Sequence, residues 1–175
     1  KTLLQKGLSD YGFNANSLNH IQFSREGRPY LEEPIDFNIS HSGNYVLCAI
    51  SQHGRVGIDV EQVKPLDLSH YRSVFTTKEW KSIIHASSPL TNFYMYWTIK
   101  EAIIKACGKG LSTPLDQFEV LSSPVEMEQK LWYYHHISLR EDYRCHLATS
   151  QPSVDIQLIP VHVAHVHSHK LPGFA

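Results

Sequence analysis

The segment from Asn92 to Cys107 is the longest helical pattern in the chain, and it narrows the choice of folds more than any other feature. At roughly 100° per residue, Phe93, Tyr96, Ile99, Ile103 and Ala106 gather on one arc. Tyr94, Trp97, Glu101 and Lys105 gather on nearly the opposite arc. Trp97 argues against a purely solvated second arc, because a large aromatic seldom lines one. Gly108 and Gly110 stop the helix. Upstream, Val56, Ile58 and Val60 alternate with Gly57, Asp59 and Glu61, which predicts a strand over Arg55 to Val63. Lys64-Pro65 ends it.

A second helix starts at Thr76. Thr76 is its N-cap, Glu79 completes a capping box, and Phe75 and Trp80 occupy the hydrophobic-staple positions. Lys1 to Asp10 reads as a short helix carrying Leu3, Leu4 and Leu8. Strands are expected at His20 to Phe23, Asp36 to Ser40, Tyr45 to Ser51, Phe118 to Leu121, Leu131 to Leu139, Tyr143 to Ser150 and Val154 to Val161. A weak internal echo places Ile39-Ser40 six residues before Tyr45 and Ile137-Ser138 six before Tyr143. It suits two similar halves packed about a pseudo-twofold axis.

A chain of 175 residues suits one ordinary domain, or two small halves sharing a core. Net charge is −1, from 16 Lys+Arg against 17 Asp+Glu, which argues against a duplex-wrapping nucleic-acid binder. No apolar run reaches membrane-spanning length and no signal peptide opens the chain. Cys48, Cys107 and Cys145 are odd in number and widely spaced, so a disulfide framework is not expected and a reducing cytoplasm fits. Of the 12 histidines, His162, His165, His167 and His169 crowd the end, which reads as a mobile tail over 162–175.

Several residues could carry chemistry. Asp59 and Glu61 share one strand face, where two like charges are unfavourable unless a cation sits between them. The rival reading is a solvated sheet face. Glu101 and Lys105 stand at i and i+4, in the order that favours an ion pair. Phe37 to Gly43 sets Ser40, His41 and Ser42 at a strand–turn junction, where hydroxyls, amides and a cationic His can hold an anion such as phosphate. Glu79 is accounted for by capping. Hydrolase, NTPase and dinucleotide glycine motifs are missing from the sequence.

Gly57-Ile58-Asp59-Val60-Glu61, followed about forty residues later by Trp97-Thr98-Ile99-Lys100-Glu101-Ala102-Ile103-Ile104-Lys105, resembles the signature of the 4′-phosphopantetheinyl transferases. Phe37 to Gly43, Gly108-Lys109-Gly110-Leu111 with Pro114-Leu115-Asp116, and Gly27-Arg28-Pro29 resemble the surfactin-synthetase-activating type in particular. The resemblance runs from about Lys1 to about Val161. It implies an α+β fold of two pseudo-symmetric halves, 1–54 and 55–161, acting as a monomer with coenzyme A and Mg²⁺ in the cleft between them. It implies transfer of the phosphopantetheine arm of coenzyme A to a serine of an apo acyl or peptidyl carrier protein, releasing adenosine 3′,5′-bisphosphate.

By the same resemblance, Asp59, Glu61 and Glu101 would hold Mg²⁺, a hard cation suited to carboxylate oxygens. Lys105 would neutralise charge on the diphosphate, Ser40 and His41 would bind the 3′-phosphate, and Arg28 would lie near the nucleotide. Glu101, or Glu61 through a metal-bound water, would take the serine proton. A further N-terminal stretch with basic coenzyme A contacts is expected to be missing, with Lys1 matching a point inside the family pattern. Rival readings are the short trimeric holo-acyl-carrier-protein synthase group, a Mg²⁺-dependent nucleotide-diphosphate hydrolase, and a non-catalytic coenzyme A or carrier-protein binding module.

Overall fold

A computed structural model describes residues 1–110 and 113–161. His162, His165, His167 and His169, and Leu111 of the glycine-rich match, lie outside the described residues. Helix α1 (Thr2–Asp10) buries Leu4 and Leu8, which join Leu31, Ile35 and Phe37 in a first core. Short strands β1 (Gln22–Phe23) and β2 (Pro29–Tyr30) pair with each other. Strands β3 (Asp36–Ser42) and β4 (Tyr45–Ser51) form a hairpin that turns at Gly43, whose φ of 55° suits glycine.

Strand β5 (Val56–Gln62) is followed by helices α2 (Thr77–Ile84) and α3 (Pro89–Cys107), then β6 (Val125–Met127), β7 (Lys130–His136) and β8 (Tyr143–Thr149). A four-stranded sheet runs β5-β8-β7-β6, antiparallel throughout. The architecture is α+β, as expected. Helix α2 opens with the capping box at Thr76 and Glu79, and Phe75 stacks against Trp80 at 6.4 Å between ring centroids.

Helix α3 begins three residues before Asn92, at a proline whose missing N–H costs nothing in the first turn. It is buried on nearly every side, including Thr98 and Lys100, and packs against β5 and β8. Gly57 sets how closely. A Cβ there would lie 2.1 Å from the carbonyl oxygen of Ala102 and 2.4 Å from the amide of Ala106. Only glycine on β5, facing small residues on α3, lets the two backbones meet.

Hairpin strand β3 runs beside the outer edge of β5 and joins it through side chains. Asp36 Oδ2, Asn38 Oδ1, Ser40 Oγ and Ser42 Oγ accept from the amides of Val56, Ile58, Val60 and Gln62, at 2.7, 2.9, 3.2 and 3.1 Å. Every second side chain of one strand thus serves every second amide of the other.

Two expected strands are absent among the described residues. Phe118 to Leu121 spends its backbone on side chains: the Phe118 carbonyl accepts from Lys100, the Val120 amide donates to Glu79, and the Val120 carbonyl accepts from Tyr134. Val154 to Val161 forms no strand, and its Ile156, Leu158 and Ile159 stay exposed. The echo tyrosines open β4 and β8, and their rings meet edge to face at 4.7 Å.

Candidate active site

Asp59 and Glu61 lie on the Gly57 face of β5, which the close approach turns toward α3. Glu101 and Lys105, one turn apart, come down onto the same ground. Lys105 Nζ donates to Asp59 Oδ1 at 2.6 Å and to Ser40 Oγ at 3.2 Å. The lysine therefore pairs with the strand carboxylate rather than with Glu101, its helical neighbour. Asp59 is only 4% exposed and Glu101 8%.

The carboxylates are held in an unfavourable state. Burial pushes the Asp59 carboxyl up to about 6; Lys105 opposes this, while the charge of Glu61 adds to it. Burial, joined by the charges of Asp59 and Glu61, pushes Glu101 up to about 7 against the pull of Lys105. Asp59 Oδ2 and Glu101 Oε1 are buried with no hydrogen-bond partner. Orphaned buried acceptors cost free energy unless a ligand meets them. Their chemistry, all hard oxygen donors, suits Mg²⁺. The expected trio is not drawn into a ready-made cluster, however, and no group of three His, Cys, Asp or Glu among the described residues forms one. Lys105 sits on Asp59, and Ser42 sits on Glu61.

Ser40 donates to Asp59 Oδ1 at 3.1 Å while accepting from Val60 and Lys105. His41, the next residue of β3, points to the opposite face and is exposed. Arg28 is nearly buried. Nη1 and Nη2 fork onto Asp36, each at 2.8 Å, Nη2 also reaches the Val56 carbonyl, and Nε reaches that of Lys105. Its guanidinium braces the end of α3 against β3 and β5, so the donors expected to face a nucleotide are largely committed to the protein.

Sequence reasoning passed over three features. Ser42, expected to join an anion-holding junction, instead donates its hydroxyl to Glu61 Oε2 at 2.8 Å. Lys100, wholly buried, pairs with Glu79 at 2.9 Å and donates to the Leu115 and Phe118 carbonyls. His146 lies opposite Asp59 on β8, and its Nδ1 meets Thr98 Oγ1 at 2.8 Å. Burial lowers its pKa to about 3, which keeps the ring neutral. The polar alternation at residues 36, 38, 40 and 42 was the available signal for Ser42. Cys48 and Cys145 are free thiols pushed up to about 12 by burial, which removes them as nucleophiles. No helix among the described residues is long and apolar enough to cross a membrane.

The stretch that builds this constellation, apart from the β3 hairpin, coincides with a match to the sequence profile of the 4′-phosphopantetheinyl transferase superfamily, over residues 55–151. The chain is 42% identical over 94 residues to the 4′-phosphopantetheinyl transferase gsp of Aneurinibacillus migulanus, covering 53% of this chain and 39% of that protein. It is 32% identical over 170 residues to the L-aminoadipate-semialdehyde dehydrogenase-phosphopantetheinyl transferase of Xenopus laevis, covering 77% of this chain and 55% of that one. The crystal structure of Thermotoga maritima holo-[acyl-carrier-protein] synthase matches 54% of this chain and 61% of its own, with 20% identity and a TM-score of 0.41. The chain spans about half the length of the curated relatives it matches. With its glycine, strand carboxylates and lysine-bearing helix all inside the matched region, the chain belongs to the 4′-phosphopantetheinyl transferase superfamily.

Proposed function

We propose that the chain transfers the 4′-phosphopantetheine arm of coenzyme A to a serine of an apo acyl or peptidyl carrier protein, releasing adenosine 3′,5′-bisphosphate. The observation that carries this reading is the pair of buried, unpartnered carboxylate oxygens on Asp59 and Glu101, facing each other's charge beside Glu61 and Lys105. Asp59, Glu61 and Glu101 would hold Mg²⁺, which when bound supplies positive charge to the coenzyme A diphosphate. The carrier serine oxygen bonds to the β-phosphorus as the bond from that phosphorus to the bridging oxygen breaks. The electron pair leaves on the bisphosphate. Lys105 reaches the cleft with 29% of its side chain exposed and offsets charge on the diphosphate. The serine proton would pass to Glu101 or, through a water held at the site, to Glu61.

His41, exposed on β3, takes the 3′-phosphate, while Ser40 faces the other way and stays with Asp59, Val60 and Lys105. Arg28 serves as the brace at this end. The test incubates the protein with coenzyme A, Mg²⁺ and an apo carrier, and reads the carrier's mass. A phosphopantetheine-sized gain that disappears with chelator, in Glu101→Gln and in Asp59→Ala is the expected result. Free phosphopantetheine with an unmodified carrier indicates a hydrolase instead, and bound but unaltered coenzyme A indicates a binding module.

A further inference from the structure

The four side-chain rungs between β3 and β5 are not alike. Asp36 and Asn38 supply acceptors, whereas Ser40 and Ser42 supply hydroxyls. A hydroxyl that accepts from an amide still has a proton to give. Ser40 gives it to Asp59, the residue before the amide it serves, and Ser42 gives it to Glu61 by the same offset. The hydroxyl rungs fall at the two positions where β5 carries a carboxylate one residue earlier.

We infer that Ser42 is a positioning residue that fixes the Glu61 carboxylate for the site. Glu61 lies near the end of β5, is only part-buried, and has no lysine on it as Asp59 does. Arg144, its neighbour across β8, spends Nη1 on the Glu141 and Tyr143 carbonyls. Ser42 therefore supplies the one hydrogen bond that ties Glu61 in place among the described contacts. It is held in turn by the Gln62 amide, so its own rotamer is fixed from the backbone. The inference that this matters for cation binding rests on the proposed function; the claim that Ser42 orients Glu61 does not.

The experiment separates the two. NMR relaxation of the Glu61 side chain, in protein without metal, is compared for wild type, Ser42→Ala, Ser42→Thr and Asn38→Ala. Glu61 is expected to gain motion in Ser42→Ala only, with Thr restoring order because it keeps the hydroxyl. Asn38→Ala removes a rung of the same ladder without touching a carboxylate, and controls for loosening of the hairpin. Mn²⁺ binding, followed by the electron paramagnetic resonance of the free ion, is expected to weaken several-fold in Ser42→Ala and not in Ser42→Thr. In a Glu61→Gln background, Ser42→Ala should add nothing. An equally ordered Glu61 in Ser42→Ala overturns the positioning role, as does equal loosening in Asn38→Ala. If Ser42→Ala does not fold, Ser42→Cys, with its weak donor, takes its place in the same comparison. Wild type that binds no Mn²⁺ overturns the metal reading, while the relaxation data still decide the role of Ser42.

Discussion

Replacing Glu101 by Gln should make the metal-free protein more stable at alkaline pH while removing the function proposed for it. Glu101 has a folded pKa of about 7 against an ordinary 4.5, because it is buried beside Asp59 and Glu61. A carboxyl raised in this way favours folding most when it can stay protonated. Its advantage is complete below the unfolded value and is lost as pH rises through the folded value. Above pH 7 the wild type carries an ionised, buried carboxylate. The difference of 2.5 units, at 1.36 kcal/mol each, is a burden of about 3 kcal/mol at pH 8, and under about 1 kcal/mol at pH 5. Gln keeps the shape and drops the charge. Urea unfolding at both pH values is the assay. Glu101→Gln should gain roughly 2 kcal/mol more at pH 8 than at pH 5. Saturating Mg²⁺ should stabilise wild type but not the variant. A gain that is equal at both pH values, or a loss at pH 8, would refute the argument.

Gly57→Ala should destabilise the fold by about 3 kcal/mol or more, since its Cβ meets α3 backbone rather than a flexible side chain; thermal unfolding checks this. Lys100→Met leaves Glu79 buried without its cation and should cost about 3–5 kcal/mol. Adding Glu79→Gln to it should restore part of that loss in the same denaturation assay, because the uncompensated charge is gone. Transfer activity should vanish in Asp59→Ala, read as carrier mass, and near-normal turnover would sink the metal assignment.

The acidic strand and the helix bearing Glu101 and Lys105 were legible because both periods are short and local. Alternation gave the face shared by Asp59 and Glu61, and the 3.6-residue turn joined Glu101 to Lys105. The partner chosen by Lys105 was not legible, because Asp59 competes with Glu101 only once Gly57 has brought the backbones together. Strand β6 was missed for a different reason. Its hairpin turns on Glu128 and Gln129, with φ of 54° and 58°, where Asn-Gly would have been a plain signal. The sequence reads as a strand over Asp36 to Ser40 that breaks at Ser42, whereas Ser42 is the last residue of β3 and pairs with Tyr45. The bracing role of Arg28 was not legible, because nothing in a sequence shows that Asp36 and the carbonyls of Phe37, Val56 and Lys105 hold its guanidinium.

The rungs between β3 and β5 also act as a reading frame. A slip of one residue would set Phe37 and Ile39 against the β5 amides, and neither side chain can accept a hydrogen bond. A slip of two toward the end of β5 would offer Asn38 to Val60 and leave Asp59 beside an amide group instead of a hydroxyl. Only one docking of the hairpin satisfies all four amides and also gives each carboxylate its serine. A misdocked chain would leave backbone amides and site carboxylates unpaired together, so docking of the hairpin and assembly of the site become a single event.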